Sequence, residues 1–595
     1  MSRQKLELTW IGKDKRPRLE PRILLEDPAK SFHARHRVTD SDLFDNRLIF
    51  GDNLLALKAL EQEFSGQVKC IYIDPPFNTG AAFKHYDDAV EHSIWLGLMR
   101  DRLEIFKRLL TNDGVIFVHI DDKEMAYLKV VCDEVFGRSQ FLNMIVAKTS
   151  DPSGHKTVNP SPYSQTEYVL MYAKDRPSYK YKQIYVESSY DQGYAKIVLN
   201  RNEHYSKWKI GGLNELVASL LGYENTRAAR KAMGRMTFDA AVAGYALEHR
   251  DSVFQPVSIS DAAGHSIVDA REQSKRNVDK VICVERSGYE DVYVLNGRQV
   301  YFYSSKVREI DGNFVPAKPL TNLWTDIPWN GIASEGGVEF KNGKKPEKLI
   351  RRCLEIASNK GDWVLDSFAG SGTTGAVAHK MGRRWIMVEL GEHCHTHIIP
   401  RLKKVISGED KGGVSEATGW QGGGGFRYYR LAPSLIIDDR WGNPVINPEY
   451  NGAMLTEALA KLEGFTYAPS ETHWWQHGHS SERDFLYVTT QNLSVAQLQA
   501  LAEEVGPQRS LLVCCAAFHG ISAETAGEHW PNLTLKKIPK MVLARCEWGH
   551  DDYSLNIANL PMATADPEPA PASPRKPGKT SALPATTPDL FGDDA

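Results

Sequence analysis

Two regions of the chain alternate short apolar runs with segments of helical periodicity, and this alternation limits the possible fold more than any other feature. The apolar runs at residues 69–73, 115–120, 363–366 and 385–389 have the length of buried strands. Helical segments separate them, including one at 95–110 whose apolar positions recur every three or four residues. Buried strands separated by helices are typical of a parallel sheet that is covered on both faces. We therefore expect an α/β fold.

The region between these two, residues 176–320, has a different pattern. Tyrosine is interleaved with lysine and arginine at 179–209, and the alternation at 291–294 and 300–303 predicts antiparallel strands. A helix is predicted over 225–247. Its basic side chains have three- and four-residue spacings and could contact phosphates together, although a solvated face explains any single one equally well; they are Arg227, Arg230, Lys231 and Arg235.

Charge and cysteine content exclude several classes of protein. Lys and Arg number 72 against 75 Asp and Glu, a net charge of −3, so a strongly basic nucleic-acid coat is excluded while a local basic groove is not. The eight cysteines form no CxxC pair and no disulfide framework, which is typical of a reducing compartment. No apolar run approaches the ~18 residues of a membrane span, and the first residues lack the apolar core of a secretory signal. We expect a cytoplasmic protein with no membrane contact.

The first motif with chemical content is Asp74-Pro75-Pro76-Phe77, directly after the predicted strand at 69–73. Ligands of open α/β sheets bind beyond the carboxyl ends of the strands, and the prolines fix a rigid, non-helical backbone there. A carboxylate in this place can accept a hydrogen bond from an exocyclic amine, and a phenyl ring can stack on a base flipped out of a duplex. Taken alone, the four residues are explained equally well by a strand-ending turn.

The second motif is a glycine-containing turn at 365–374 that joins a predicted strand to a predicted helix. Gly370 and Gly372 permit tight backbone geometry and the close approach of a ligand, so the turn could hold a nucleotide-like cofactor. It lacks the lysine of a phosphate-binding P-loop, which disfavours ATP. Glu389 ends the next strand about twenty residues later, where nucleoside-binding folds have an acceptor for ribose hydroxyls.

In this order, the two motifs resemble those of the β class of DNA amino-methyltransferases that use S-adenosyl-L-methionine. In that class the Asp-Pro-Pro-aromatic motif comes first, a target-recognition region follows, and a Phe-x-Gly-x-Gly motif comes late. Here the first and last are residues 74–77 and 368–372, and 51–53 and 345–349 also match. The resemblance covers residues 45–405.

The glycine-rich joint that follows, and Phe426-Arg427-Tyr428-Tyr429 after it, resemble the modification (Mod) subunit of type III restriction–modification systems. The resemblance implies a Rossmann-like methyltransferase sheet with an inserted target-recognition domain and a smaller C-terminal α/β domain. The expected segments are an N-terminal arm (1–40), the catalytic half of the methyltransferase domain (41–175), the recognition insertion (176–320), the cofactor half (321–407), a glycine-rich linker (408–425), the C-terminal domain (426–560) and a disordered tail (561–595).

The resemblance also implies roles for single residues. Asp74 and the carbonyl of Pro75 would accept hydrogen bonds from the target amino group, beside Pro76, and Phe77 would stack on the flipped base. Asn78 is a weaker candidate for contact with the substrate. At the cofactor, Asp52 would bind the adenine edge, with Asn53 beside it, and Glu389 would bind the ribose. Lys345 and Pro346 would lie near the methionine end. The residues of the glycine-containing turn would complete the cofactor site; they are Asp366, Phe368, Gly370, Gly372 and Thr373.

The implied reaction is transfer of a methyl group from S-adenosyl-L-methionine to adenine N6 in a specific sequence of duplex DNA. Asp74 favours adenine, because the cytosine-N4 enzymes of this class usually have serine there. Phe77 replaces the commoner tyrosine, which keeps the stacking face and loses a hydroxyl. No Pro-Cys dipeptide supplies the nucleophile that cytosine C5 methylation needs. Cytosine N4 methylation, RNA methylation and a non-catalytic recognition subunit stay open as alternatives.

The expected partners, besides duplex DNA, are a second copy of the chain and a restriction or helicase subunit. Residues 589–592, Asp-Leu-Phe-Gly, resemble peptides that dock on the bacterial sliding clamp, although such short matches are common by chance. The histidine-rich segments at 393–397 and 473–479 lack the second ligand pair of a metal site, so no metal is expected.

Overall fold

The computed structural model describes residues 7–16, 19–20, 22–77, 88–150, 162–340 and 343–546. The first region combines strands with three helices: the strand predicted at 69–73 is observed at Val68–Ile73, and the helix predicted at 95–110 begins earlier, at Asp88. Its elements are β1 (Leu24–Glu26), β2 (Phe32–His33), β3 (Asn46–Phe50), α1 (Asn53–Phe64), β4 (Val68–Ile73), α2 (Asp88–Leu109), β5 (Leu110–Ile120), α3 (Met125–Phe136), β6 (Phe141–Lys148) and β7 (Thr166–Ala173).

The middle region forms its own sheets and helices, with a six-stranded sheet in the order β10-β9-β11-β14-β13-β12 and a three-stranded one in the order β15-β16-β8. The predicted antiparallel strands at 291–294 and 300–303 are present as a hairpin. The elements are β8 (Tyr185–Glu187), β9 (Lys196–Val198), β10 (Ile210–Gly212), α4 (Leu213–Leu220), α5 (Thr226–Met233), α6 (Arg235–Glu248), β11 (Val253–Ser258), α7 (His265–Arg276), β12 (Ile282–Val284), β13 (Val292–Leu295), β14 (Arg298–Phe302), β15 (Val307–Ile310) and β16 (Asn313–Pro319).

The single helix predicted over 225–247 was wrong, because two helices, α5 and α6, occupy this segment. Gly234 lies between them with φ of 84°, in the left-handed region that glycine enters without strain. The break changes the direction of the chain, so Arg235 does not continue the helical face that carries Arg227, Arg230 and Lys231.

The third region returns to the α/β alternation, and its predicted strands and helices are observed within one or two residues. The elements are β17 (Leu323–Trp324), α8 (Glu347–Ala357), β18 (Trp363–Asp366), α9 (Thr373–Lys380), β19 (Arg384–Glu389), α10 (Ile399–Ile406), α11 (Ser415–Thr418) and β20 (Gly425–Leu431).

Strands from the first and third regions form one eleven-stranded sheet, which we call the central sheet. Its order is β1-β20-β3-β19-β18-β4-β5-β7-β6-β17, and β2 also pairs with β20. The six strands from β20 to β5 are parallel to one another, and β7 is antiparallel to β5. The α/β fold expected from the sequence, with its parallel sheet, is therefore confirmed.

The central sheet is covered by helices on both faces. On β4, Ile71 and Ile73 pack with α1, α2 and α3, whereas Cys70 and Tyr72 pack on the opposite face with α8, α9 and α10. Successive residues from Cys70 to Ile73 therefore face two different cores, which is why this stretch of the strand has no solvent-facing polar position. Trp95 and Met99 belong to the face of α2 that the helical periodicity marks as buried.

The central sheet extends outside residues 41–407. Segment 24–33 contributes β1 and β2, and β20 follows the glycine-rich joint and pairs in parallel with β3. Phe426 and Tyr428 of β20 are buried in the same core as α8 and α9. The glycine-rich segment therefore leads back into the central sheet before the chain enters its last domain.

The C-terminal domain has a five-stranded sheet in the order β23-β24-β25-β27-β29, in which the last three strands are parallel. None of the described helices of the whole chain is long and apolar enough to cross a membrane. The elements are β21 (Ile436–Asp438), β22 (Pro444–Ile446), α12 (Gly452–Glu463), β23 (Thr466–Tyr467), β24 (Gly478–His479), β25 (Asp484–Val488), β26 (Asn492–Leu493), α13 (Val495–Val505), β27 (Ser510–Cys515), β28 (Ala517–Phe518), α14 (Ala523–His529), β29 (Leu533–Lys537) and α15 (Ile538–Arg545).

Candidate active site

The two sequence motifs meet because their strands are neighbours in the central sheet. β4, which ends before Asp74, pairs in parallel with β18, which ends at Asp366. The helix after β4 covers one face of the sheet and the helix after β18 covers the other. Neighbouring strands whose connections leave on opposite faces open a crevice at their carboxyl ends, which is where α/β proteins bind ligands.

A cavity of about 460 Å³ occupies this crevice. Its wall combines both motifs with residues from α2 and from the segments around residues 340 and 390. The lining residues are Asn53, Asp74, Pro75, Pro76, Phe77, Trp95, Leu98, Arg102, Phe340, Gly343, Lys345, Ser367, Phe368, Gly370, Glu389, Leu390 and His393. The wall contains both aromatic rings and carboxylates, which suits a ligand that carries a planar heterocycle and polar groups.

The glycine turn is built by hydrogen bonds to two carboxyl groups. Asp366 accepts from the backbone N–H of Phe368 at 2.9 Å and from the Thr374 hydroxyl at 2.6 Å. Gly372 has φ of 76°, and a Cβ there would lie 3.0 Å from the side chain of Ile398. Burial raises the pKa of Asp366 to about 7, and Asp74 adds to the rise. Asp366 thus holds the turn on the side away from the cavity, and Gly370 of the turn faces the cavity.

Glu389 joins the end of β19 to the glycine turn. One carboxylate oxygen accepts from the backbone N–H of Gly370 at 2.8 Å, and the other accepts from the N–H groups of Leu390 and Gly391 at 3.0 and 2.9 Å. His393 Nε2 lies 3.0 Å from the same second oxygen. Glu389 therefore carries an ordered carboxylate at the cavity wall, in the place where an acceptor for ribose hydroxyls is expected.

The Asp74–Phe77 turn is fixed by α2. Trp95 is buried, and its indole Nε1 donates a hydrogen bond of 2.9 Å to the carbonyl of Pro76. Because Pro75 and Pro76 lack an N–H group, neither can donate a backbone hydrogen bond that would hold the turn. The indole therefore takes over part of the positioning of the turn.

Asp74 lies beside the buried ammonium group of Lys345 and the half-buried carboxylate of Glu167. Its Oδ1 is 3.3 Å from the Lys345 Nζ, which also donates to Glu167 Oε2 at 3.2 Å. Burial raises the pKa of Asp74, and the nearby ammonium group counteracts the rise. Burial also opposes ionisation of Glu167, but the His119 hydrogen bond and Lys345 lower its pKa to about 2.

Lys345 thus lies next to Asp74 and over the Phe77 ring, with Nζ 4.9 Å from the ring centre. The resemblance places it near the methionine end of the cofactor; the structure places it at the boundary between the two motifs.

Pro346 and Thr373, expected at the cofactor, are outside the lining residues. Thr373 instead accepts a hydrogen bond from the buried Arg401 at 2.8 Å.

The residues after β3 form a support behind the cavity. Asp52 is the N-cap of α1, accepting from the backbone N–H of Leu55 at 3.1 Å, and it is not among the lining residues. Asn53 does line the cavity and donates to the Ser367 carbonyl at 2.8 Å. Arg102 of α2 donates to Asn53 at 2.6 Å and lies 3.7 Å from Asp52. Asn53 therefore connects the first motif region to the glycine turn.

The other expected binding residues lie apart from this cavity or beyond the described chain. Asn78 lies outside the described residues. In the middle region, Arg227, Lys231 and Arg235 are exposed, while Arg230 donates to Asp239 at 2.9 Å. Their contact with phosphates stays a prediction.

The histidines at 393–397 make separate contacts. His395 lies 2.8 Å from the Tyr428 hydroxyl, and His397 lies 3.1 Å from the Glu339 carbonyl, so the imidazoles do not converge. Within the ranges that the structure describes, no group of three or more His, Cys, Asp or Glu side chains could hold a metal ion.

Several residues of the site carry no signal in the sequence that would separate them from ordinary core residues. Trp95 lies in the apolar face of α2, where a tryptophan is explained by packing alone. His119 and Glu167 lie within strands, on β5 and β7, and their proximity to Asp74 follows only from the strand order. A charged residue inside an otherwise apolar strand is the one feature that could have pointed to them.

Comparison with known proteins agrees with this geometry. The family model of the N6/N4 methyltransferases, described as DNA methylase, matches residues 68–400, and the chain belongs to this family. The chain is 35% identical to the HindVI Mod subunit of Haemophilus influenzae over 67% of its own length and 55% of that protein. It is 24% identical to the type III restriction-modification enzyme EcoP15I Mod subunit of Escherichia coli, over 90% of each.

The chain covers only part of two of these relatives. The match spans 55% of the HindVI Mod subunit and 62% of the type III restriction-modification enzyme EcoPI Mod subunit of Escherichia phage P1, which is 27% identical over 64% of this chain. Among solved structures, the PvuII DNA methyltransferase (cytosine-N4-specific) is 12% identical, with a TM-score of 0.29 over 61% of this chain and 88% of that one. A likeness of that size establishes nothing by itself.

Proposed function

We propose that this chain is a site-specific DNA methyltransferase that transfers a methyl group from S-adenosyl-L-methionine to adenine N6 in duplex DNA. The observation that carries the proposal is the shared cavity, in which Asp74 and Phe77 face the same space as Gly370 and Glu389. One pocket can then hold a methyl donor and a flipped base in contact, which is what direct transfer requires.

The residues of the cavity fit the cofactor. Glu389 offers an ordered carboxylate for hydroxyl groups, Phe368 and Leu390 offer apolar surface for a heterocycle, and Gly370 leaves open space where a side chain would stand. When bound there, the cofactor would supply a methyl group that its positive sulfur already activates. The protein's task is then to position the acceptor.

The acceptor would be positioned by the Asp74–Phe77 turn. Asp74 accepts a hydrogen bond from the amino group, which directs the nitrogen lone pair toward the methyl carbon, and Phe77 stacks on the base. The amino nitrogen would exchange one proton for the methyl group that the bound cofactor supplies. Asp74, the carboxylate on the acceptor side of the cavity, would receive this proton. Positioning of this kind can lower a barrier by several kcal/mol.

The test is incorporation of a radiolabelled methyl group into DNA of varied sequence, followed by nucleoside analysis. We expect N6-methyladenine; N4-methylcytosine would instead support the cytosine-N4 alternative. No incorporation, with cofactor binding demonstrated and a restriction partner supplied, would contradict the enzyme assignment and favour a recognition-only subunit. Competition between DNA and RNA substrates decides between the two nucleic acids.

We expect Asp74→Ala to abolish methyl transfer, by at least a thousandfold, while cofactor affinity measured by calorimetry changes by less than about threefold. The reason is that the carboxylate serves the acceptor, whereas the glycine turn and Glu389 serve the donor. Glu389→Ala is the complementary variant, and we expect it to weaken cofactor binding. Methylation by Asp74→Ala at the wild-type rate would contradict the role of Asp74.

The relatives also support a setting for this activity. Several of them are named as Mod subunits of type III restriction-modification enzymes, so we propose that this chain is the modification and recognition subunit of such a cytoplasmic system. We further propose residues 176–320 as the target-recognition domain, with exposed cations on α5 and α6 that suit phosphates. A homodimer, a restriction partner and clamp docking by residues 589–592 are further proposals; the last lies outside the described residues.

A further inference from the structure

A continuous chain of buried and half-buried polar side chains leads to Asp74 from the interior of the central sheet. The Tyr72 hydroxyl lies 2.8 Å from His119 Nδ1, and His119 Nε2 lies 2.6 Å from Glu167 Oε2. Lys345 Nζ donates to the same Glu167 oxygen and lies 3.3 Å from Asp74 Oδ1. The chain joins β4, β5 and β7 to the segment before α8, so residues that are distant in sequence converge on one carboxylate.

Burying these polar and charged groups in a protein interior has a large free-energy cost. Tyr72 and His119 are 1% and 0% exposed, and Lys345 is 7% exposed. Removing charged groups from water costs several kcal/mol for each ion, and their attraction returns this only when the geometry is good. Apolar residues would stabilise this part of the sheet at least as well, so stability alone does not account for the chain.

The position of the ammonium group indicates its task. Lys345 has two carboxylates as neighbours, Asp74 and Glu167, and its Nζ lies 4.9 and 5.9 Å from the ring centres of Phe77 and Trp329. It therefore lies within the part of the cavity that belongs to the acceptor. Glu167 has its own second partner in His119, so its hydrogen bonds hold Lys345 on the side of Asp74.

We propose that Lys345 is a positioning residue for the reaction, in which the Tyr72–His119–Glu167 chain holds its ammonium group against Asp74 and so keeps that carboxylate charged and fixed at the acceptor side of the cavity. The inference rests on the proposed function and adds a task for residues outside the two motifs. Lys345 acts through Asp74, and Glu167 acts through Lys345.

The charges around Asp74 determine the direction of its response to substitution. Lys345 and His119 lower the pKa of Asp74, while burial and Glu167 raise it; Asp366 lies on the neighbouring strand and is itself affected by Asp74. Removing Lys345 should therefore raise the pKa of Asp74, and removing the charge of Glu167 should lower it. The ionised carboxylate is a stronger acceptor for an amine than the protonated acid, so both changes should appear in the acid limb, the low-pH part of the rate profile.

The experiment is single-turnover methylation of DNA as a function of pH, at saturating S-adenosyl-L-methionine, for the full chain and three variants. Lys345→Met removes the charge, Lys345→Arg retains it, and Glu167→Gln removes the opposing carboxylate. Lys348→Met is the matched control, since Lys348 is on the first turn of α8, 47% exposed, and pairs with Asp326 at 3.3 Å. Cofactor affinity is measured by calorimetry for every variant.

We expect Lys345→Met to move the acid limb up by about one pH unit, which lowers the rate by up to about tenfold at pH values on that limb. Lys345→Arg should restore most of this loss. Glu167→Gln should move the acid limb in the opposite direction, to lower pH, because the amide oxygen can still accept from Lys345 while the charge that raises the pKa of Asp74 is gone. Cofactor affinity should change by less than about threefold, and Lys348→Met should match the wild type.

Unshifted acid limbs in both Lys345→Met and Glu167→Gln would overturn the proposal, as would a loss of cofactor affinity in Lys345→Met that alone explains its slower rate. If Lys345→Met does not fold, the direction of the shift in Glu167→Gln decides by itself. Failure of the proposed function is a different result, because the wild-type chain would then transfer no methyl group to DNA at any pH.

Discussion

Trp95 shows how a single side chain outside the motifs can control their geometry. It packs in the core below the central sheet and also donates a hydrogen bond to the carbonyl of Pro76, so it has both a packing and a polar task. Phenylalanine fills much of the same space but has no N–H group, so a Trp95→Phe substitution removes the hydrogen bond and keeps most of the packing.

We expect Trp95→Phe to slow single-turnover methylation about three- to tenfold, since a net hydrogen bond contributes about 1 kcal/mol. The cofactor should bind with nearly wild-type affinity, as measured by calorimetry. Trp441→Phe is the control, because Trp441 is 69% exposed on the hairpin between β21 and β22. A wild-type rate in Trp95→Phe would show that the turn holds its shape without the indole.

At the scale of elements, α8 is joined to its neighbours by a buried cluster of charges. Glu347, in the first turn of α8, accepts from Arg401 of α10 and from Lys380 of α9, each at 2.8 Å, and none of the three side chains is exposed. Burial opposes ionisation of Glu347, but Arg401 and Lys380 keep its pKa below the ordinary value. This helix follows directly after Lys345, so its position also determines that of the cavity wall.

We expect Glu347→Gln to destabilise the protein by about 3–5 kcal/mol, because it leaves a buried Arg401 without its charged partner. Urea unfolding followed by circular dichroism measures the change as a lower midpoint. Glu355→Gln on the same helix should cost less than about 1 kcal/mol, since Glu355 pairs with Arg351 at a partly exposed position. Equal midpoints for the two variants would contradict this account.

The pKa of Glu347 also gives the sign of a pH effect. A carboxyl group whose pKa is lower in the folded state contributes stability above its unfolded pKa, and this contribution is lost as the pH falls through the folded pKa. The difference in midpoint between the wild type and Glu347→Gln should therefore shrink in acid.

At the scale of the whole molecule, the central sheet requires parts of the chain that lie on both sides of its two motif regions. β20 covers β3 on one edge, and Phe426 and Tyr428 bury their rings under the sheet. A chain that ends at residue 407 lacks this strand, although it contains both motifs.

We expect a chain shortened to residues 1–407 to lose cooperative thermal unfolding and to bind cofactor at least tenfold more weakly, because it exposes the core that β20 covers. A chain that ends at residue 433 keeps β20 and lacks only the C-terminal domain, and it should bind cofactor within about threefold of the full chain. Circular dichroism and calorimetry measure these properties. Equal binding by the two shortened chains would show that β20 is dispensable.

Much of the architecture could be predicted from the sequence, because buried strands and amphipathic helices have periodicities that burial imposes directly. Strand β18 has the predicted ends, and the two motifs are at the predicted carboxyl ends of strands. The break at Gly234 was missed, because a lone glycine inside a helical pattern is usually tolerated. The partners of Asp74 could not be predicted, since no local pattern contains the strand order that brings His119 and Glu167 together.

The interruption of the central sheet has a consequence for the making of the protein. A ribosome synthesises β3, β4 and β5 long before β18 and β19, the strands that must insert between β3 and β4. Until residue 389 has emerged, the nascent chain holds apolar strands with unpaired edges, which favours aggregation or capture by chaperones. A polypeptide released before residue 389 of the 595 would lack the strands that carry half of the cavity, so the proposed chemistry would require synthesis at least that far.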